Sequence, residues 1–239
     1  MTKENKIQAA SAKQGTSLLR RMLGRRTGGD SGATEMAPLD LADIQGFILR
    51  GYRMPMLRHF LLTIENPAQA RRQLGRLVSG DESDAPQITT AEDWHVAFAP
   101  GPGDNPTGTP RRKPDYCLNL GVTWPGLVAL EIKERVPALS FKSFGAFVEG
   151  AAHRAELVGD TGASSPQNWV GDFGKGQDHV LLTLHAISPE AMNSYSDKLC
   201  AWFAEGSAFR EMWRQDGMAL VEMQNGQPVF TAKLHFGYT

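Results

Sequence analysis

Apolar and polar positions along this chain fall into blocks whose period changes from two to nearly four, and these blocks predict its elements. Arg58-His59-Phe60-Leu61-Leu62-Thr63-Ile64 is a compact apolar run with aromatic and β-branched members, which predicts a strand. Asn66-Pro67 punctuates it, and Pro67 suits the first turn of a helix reaching about Val78. Ile88 to Thr90 and Trp94 to Phe98 read as short strands, separated by a Pro/Gly-rich connection from a further strand at Asp115 to Val122. Thr123 is placed to cap a short helix, with Pro125 just inside it, that ends near Leu130. A helical stretch around Phe144 to Ala155 follows and closes at Gly159-Asp160-Thr161-Gly162. His179 to Ala186 is the clearest strand of all. Ser188 then caps a helix that starts at Pro189, runs to about Glu205 and gathers Met192, Tyr195, Leu199 and Phe203 on one face. Met218 to Met223 and Val229 to His235 flank Gln224-Asn225-Gly226-Gln227, a hairpin signal.

The order β-α-β, an irregular helical middle, then β-α-β-β predicts an α+β fold: a ferredoxin-like antiparallel sheet with helices on one face. The folded part is expected over residues 39–239. Residues 1–38, with Arg20-Arg21 and Arg25-Arg26 followed by a Gly/Ser/Thr stretch, have the composition of a disordered basic tail. No apolar core follows the arginine pair, so no twin-arginine export signal is present, and a cytoplasmic location is the resulting expectation.

Composition narrows the function classes. A formal net charge of -1 on 239 residues gives no reason to expect nucleic acid as a partner, and no apolar run is long enough for a membrane-spanning helix. Cys117 and Cys200 have no metal-ligand spacing and read as buried, inert thiols. The six histidines, His59, His95, His153, His179, His185 and His235, are scattered, with no HxxxH or HExxH pair. His179 and His185 share a face of one strand but lie about 20 Å apart, too far for one ion. Ala99 to Asp104 has glycines but no Gly-Lys-Ser/Thr to follow, and Ser164 and Ser165 lack a nucleophile elbow, so neither a phosphate loop nor a serine triad is indicated. The five tryptophans read as core or interface anchors.

Three segments together resemble the dye-decolorizing-type haem peroxidase family. They are Asp43-Ile44-Gln45-Gly46-Phe47-Ile48-Leu49-Arg50-Gly51; Asn119 to Leu130, with Gly121, Thr123, Gly126 and Leu127; and Arg154-Ala155 to Gly162 with Pro166 and Trp169. His235-Phe236-Gly237-Tyr238-Thr239 is similar to the start of the family's Phe-Gly-x-x-Asp-Gly element, with Gly237, Tyr238 and Thr239 as the opening of a distal haem loop.

The resemblance implies half of a dimeric α+β-barrel-type peroxidase. The whole enzyme would hold haem b in a second, C-terminal half through a proximal histidine, and would use hydrogen peroxide to oxidise an organic reductant such as a dye or phenol. It further implies that the family's catalytic aspartate would be the residue after Thr239, so that no catalytic residue or axial ligand is expected here and the chain alone is expected to be inactive. The other reading left open is a non-catalytic binding or assembly module that pairs its sheet with a partner, a homo-oligomer included.

Overall fold

The structure is a computed structural model that describes residues 39–49, 51–52, 54–79, 85–97, 114–132, 144–231 and 233. The basic tail, the acidic loop at 80–84 and the Pro/Gly-rich connection at 98–113 lie outside them. Asp40–Thr239 forms one compact unit. Its elements are α1 (Gly46–Leu49), β1 (Met56–Ile64), α2 (Pro67–Ser79), α3 (Ala91–Ala97), β2 (Tyr116–Val122), α4 (Trp124–Ala129), α5 (Gly145–His153), α6 (Ala155–Val158), β3 (Val180–Ala186), α7 (Pro189–Ala204), β4 (Phe209–Met218), β5 (Val221–Gln224) and β6 (Gln227–Phe230). Four strands form one sheet in the order β2-β3-β1-β4, with every neighbouring pair antiparallel. Two β-α-β halves interleaved in this way give the expected α+β, ferredoxin-like sheet.

Period-two alternation sorts its side chains. On β3, Val180, Leu182, Leu184 and Ala186 are fully buried, while Leu181, Thr183 and His185 point the other way. The buried set meets Phe60, Leu62 and Ile64 of β1 and Leu118 of β2, and on this layer lie Ala70 and Leu77 of α2 and Met192, Leu199, Trp202 and Phe203 of α7. Both helices therefore cover the same face. Helix α7 starts as its sequence dictates: Ser188 Oγ accepts the Ala191 N–H at 3.2 Å, and Pro189 occupies the first turn. Thr123 does the same for α4, accepting the Gly126 N–H at 3.1 Å. Gly126 is required there because a Cβ would run into the His179 carbonyl and the Val122 side chain.

Three expectations need correction. Trp94 to Phe98 was expected as a strand, but residues 91–97 form α3, because Thr90 and Asp93 make a reciprocal cap: Asp93 Oδ2 accepts the Thr90 N–H at 2.9 Å and Thr90 Oγ1 accepts the Asp93 N–H at 3.1 Å. Of Ile88 to Thr90, only Thr90 takes part in β-pairing, a single bridge to Gln45. Met218 belongs to the end of β4 and not to the hairpin, whose strands are the shorter β5 and β6 around Asn225 and Gly226, both at positive φ. Strand β4 itself is absent from the pattern reading. It is an edge strand with polar Arg210, Glu211, Arg214, Gln215 and Asp216, and a bulge opposite Leu61/Leu62 breaks its alternation.

Candidate functional site, the sheet face opposite the helices

The second face of the sheet is lined differently. It carries Leu57, His59, Leu61 and Thr63 from β1, Cys117 and Asn119 from β2, Leu181, Thr183 and His185 from β3, and Trp213, Gln215 and Gly217 from β4. Register brings the polar members together: His59 lies directly opposite both Thr183 and Gln215, Thr183 also opposite Asn119, and His185 opposite both Leu57 and Cys117. One end of the face is covered by Phe173, whose ring packs against Trp213 at 6.1 Å, and by the Gln177 carbonyl, which accepts the Thr63 hydroxyl at 2.8 Å. Toward β2, Tyr52 stands edge-on to His185 at 5.0 Å and to Trp94 at 4.6 Å. Half-buried His59, Thr183 and His185 form the centre.

This centre is held by side-chain hydrogen bonds. His59 Nδ1 pairs with Thr183 Oγ1 at 2.9 Å, and Asn119 Nδ2 donates to Tyr52 Oη at 3.1 Å. Burial holds His59 below the ordinary imidazole range, and burial with the neighbouring His59 pushes His185 down to about 4. Burial acts in the opposite sense on the acids, pushing Tyr52 and Cys117 each up to about 12. All four groups are therefore uncharged at neutral pH. The centre is a polar but neutral surface, suited to hydrogen bonding and packing rather than to proton transfer near pH 7.

The histidines separate clearly. His179 is structural: its Nδ1 accepts the Ile64 N–H at 2.9 Å, which places the proton on Nε2, and Nε2 donates to the Gly176 carbonyl at 3.1 Å. His153 is exposed at the end of α5. The side chain of His95, and His235, lie outside the described residues. No group of three or more His, Cys, Asp or Glu that could hold a metal exists among the described residues. Of these histidines, His179 has both ring nitrogens occupied and so has none to offer a haem iron, while His59 Nδ1 is paired with Thr183 and His185 packs edge-on against Tyr52. Gly237, Tyr238 and Thr239, the expected opening of a distal loop, lie outside the described residues. Cys117 is buried and Cys200 half-buried, where it accepts a hydrogen bond from Arg214 Nη2 at 3.2 Å. Trp94 and Trp202 are core residues, whereas Trp169 and Trp213 are half-buried.

In the sequence Gln45 and Tyr52 stand out only as part of the segment that opens the folded region, and Asn119 and Thr183 only as members of strands. For Thr183 a signal is present in β3, where Thr183 and His185 interrupt an apolar strand at alternate positions.

An antiparallel β2-β3-β1-β4 sheet that buries one face under two helices and leaves a hydrogen-bonding face on the other defines a ferredoxin-like half of an α+β barrel. Comparison with known proteins agrees with that class. The family model described as the DyP dimeric alpha+beta barrel domain matches residues 43–219, and the chain belongs to this family of dye-decolorizing-type peroxidases. No curated protein matches the chain. Among solved structures, it is similar to an ancestral D-type dye decolorizing peroxidase (23% identity, TM-score 0.58, covering 77% of this chain and 36% of that one). It is also similar to a fungal DyP-type peroxidase from Auricularia auricula-judae (19%, TM-score 0.57, 77% and 34%). A third is a dye-decolorizing peroxidase in complex with 2,6-dimethoxyphenol (21%, TM-score 0.56, 77% and 35%). At these identities the likeness is one of fold. The chain spans about a third of the length of the solved structures it matches. No helix among the described residues is long and apolar enough to cross a membrane.

Proposed function

We propose that this chain is the N-terminal domain of a haem-dependent dye-decolorizing-type peroxidase, which uses hydrogen peroxide to oxidise a dye or phenolic compound. In this reading residues 39–239 form the domain, residues 1–38 are an appended basic tail, and Gly237, Tyr238 and Thr239 open the distal loop. The haem b is held by a second domain outside these residues. One observation carries the reading: the sheet face opposite α2 and α7 presents a neutral, hydrogen-bonding centre, His59, Thr183 and His185, between two aromatic borders. A second sheet packed there would close a barrel and remove that centre from water. Neutral imidazoles and hydroxyls tolerate such burial far better than charged groups do. The residues of this chain would then wall and position, while the bond-breaking groups and the iron come from the second domain.

The test is a titration of haem b into the 239-residue chain, followed by absorbance, together with a turnover assay with hydrogen peroxide and 2,6-dimethoxyphenol. The reading predicts no axially ligated haem and no turnover by the chain alone. Stoichiometric ligation with turnover would show that the chemistry resides here and would overturn it.

A further inference from the structure

We propose that Gln45 is a positioning residue: a single carboxamide stands in for a missing neighbour strand on β2 and, through Asn119, holds Tyr52 against His185. Among the described residues strand β2 lies at the edge of the sheet, where unpaired backbone groups invite pairing with another chain. At two adjacent outward positions of this strand, non-strand residues take the place of a neighbour. Thr89 covers Leu118, donating its own N–H to the Leu118 carbonyl at 2.9 Å and accepting the Leu118 N–H on Oγ1 at 3.0 Å. Gln45 covers Leu120 by side chain alone: Oε1 accepts the Leu120 N–H at 2.8 Å and Nε2 donates to the Leu120 carbonyl at 2.9 Å. An amide side chain is among the few that can satisfy one donor and one acceptor at once in this way.

The same Oε1 also meets Asn119 Nδ2 at 3.4 Å, and that nitrogen reaches Tyr52 Oη at 3.1 Å. The backbone holding Gln45 is fixed as well, since the Ala91 N–H donates to the Ile44 carbonyl at 2.7 Å and the Gly46 N–H to the Thr89 carbonyl at 2.9 Å. Gly46 has to be glycine at this crossing, because a Cβ would lie 2.8 Å from Tyr52 Oη and 2.9 Å from the Thr90 carbonyl oxygen. The Gln45-Gly46 pair thus couples the β2 edge to the centre of the open face. This role is independent of whether a second domain docks on that face.

The experiment uses the full chain, unmodified and as Gln45→Leu, and reads two signals by NMR. Amide hydrogen exchange at Leu120 reports the edge, with Leu182 in the core as the control for folding, and the imidazole titration of His185 reports the site. Gln45→Leu is expected to speed Leu120 exchange at least tenfold, leave Leu182 protected, and raise the His185 midpoint by about one unit or more as Tyr52 loosens and water enters. Unchanged Leu120 exchange would overturn the strand-surrogate role. Faster Leu120 exchange with an unaltered His185 titration would overturn the positioning role. If Leu182 loses protection, Asn119→Ala tests the positioning link with the edge clip intact. Its expected signature is a raised His185 midpoint with Leu120 still protected, and an unmoved midpoint refutes the link.

Discussion

Acidification should destabilise this domain through His185, and the size of the effect follows from its position. Packed between Tyr52 and Cys117 on the open face and beside His59, its imidazole is pushed down to about 4 from an ordinary value of 6.5. A histidine depressed on folding contributes stability that is fully present above about pH 6.5. As pH falls, the unfolded chain takes up a proton that the folded one refuses, so stability is lost until the folded group itself titrates near 4. A shift of about 2.5 units corresponds to roughly 3.4 kcal/mol over the whole window, of which about 2 is lost by pH 5. The ring retains some solvent contact, so a discounted loss of about 1 kcal/mol by pH 5 is the working figure. Urea unfolding of the wild-type chain and of His185→Phe at pH 7.5, 6.0 and 5.0 isolates the term from the other titrating groups. The wild type should lose about 1 kcal/mol more than the variant between pH 7.5 and 5.0. Equal losses in both would refute the reasoning.

Further expectations concern the frame that holds this face. Gly126→Ala should lower stability by about 2–3 kcal/mol, read as a reduced urea midpoint, because the new Cβ meets the His179 backbone carbonyl. Ser188→Ala removes the acceptor at the start of α7 and should cost about 1 kcal/mol by the same assay, with Ser188→Asp retaining most of it. Leu182→Ala, at a fully buried site on the helix-covered face, should cost about 2–5 kcal/mol in thermal or urea unfolding.

Much of the fold was legible because local signals and tertiary packing agree in it. Pro67, Thr123 and Ser188-Pro189 mark helix starts by chemistry that operates within one turn, and the alternation on β3 survives intact in a central strand. Where two local signals compete, or an edge strand is polar, the pattern misleads. Trp94 looks like a strand residue, yet the Thr90-Asp93 cap starts a helix around it. Strand β4 hides among charged residues because half its side chains face solvent and a bulge shifts its register. The open face was less legible still. His59 and His185 are distant in sequence, and nothing local announces that a glutamine at position 45 reaches a strand 75 residues away. Such contacts come from register, which is set by the whole sheet.

The polypeptide purified from its native source offers the most direct test of the central claim, by intact mass and absorbance spectrum together. A peroxidase domain of this kind should give a mass far above 26.1 kDa, a Soret band, and haem-dependent oxidation of 2,6-dimethoxyphenol by hydrogen peroxide. A haem-free polypeptide of 26.1 kDa with no such turnover would contradict it and leave a binding module in place of an enzyme domain.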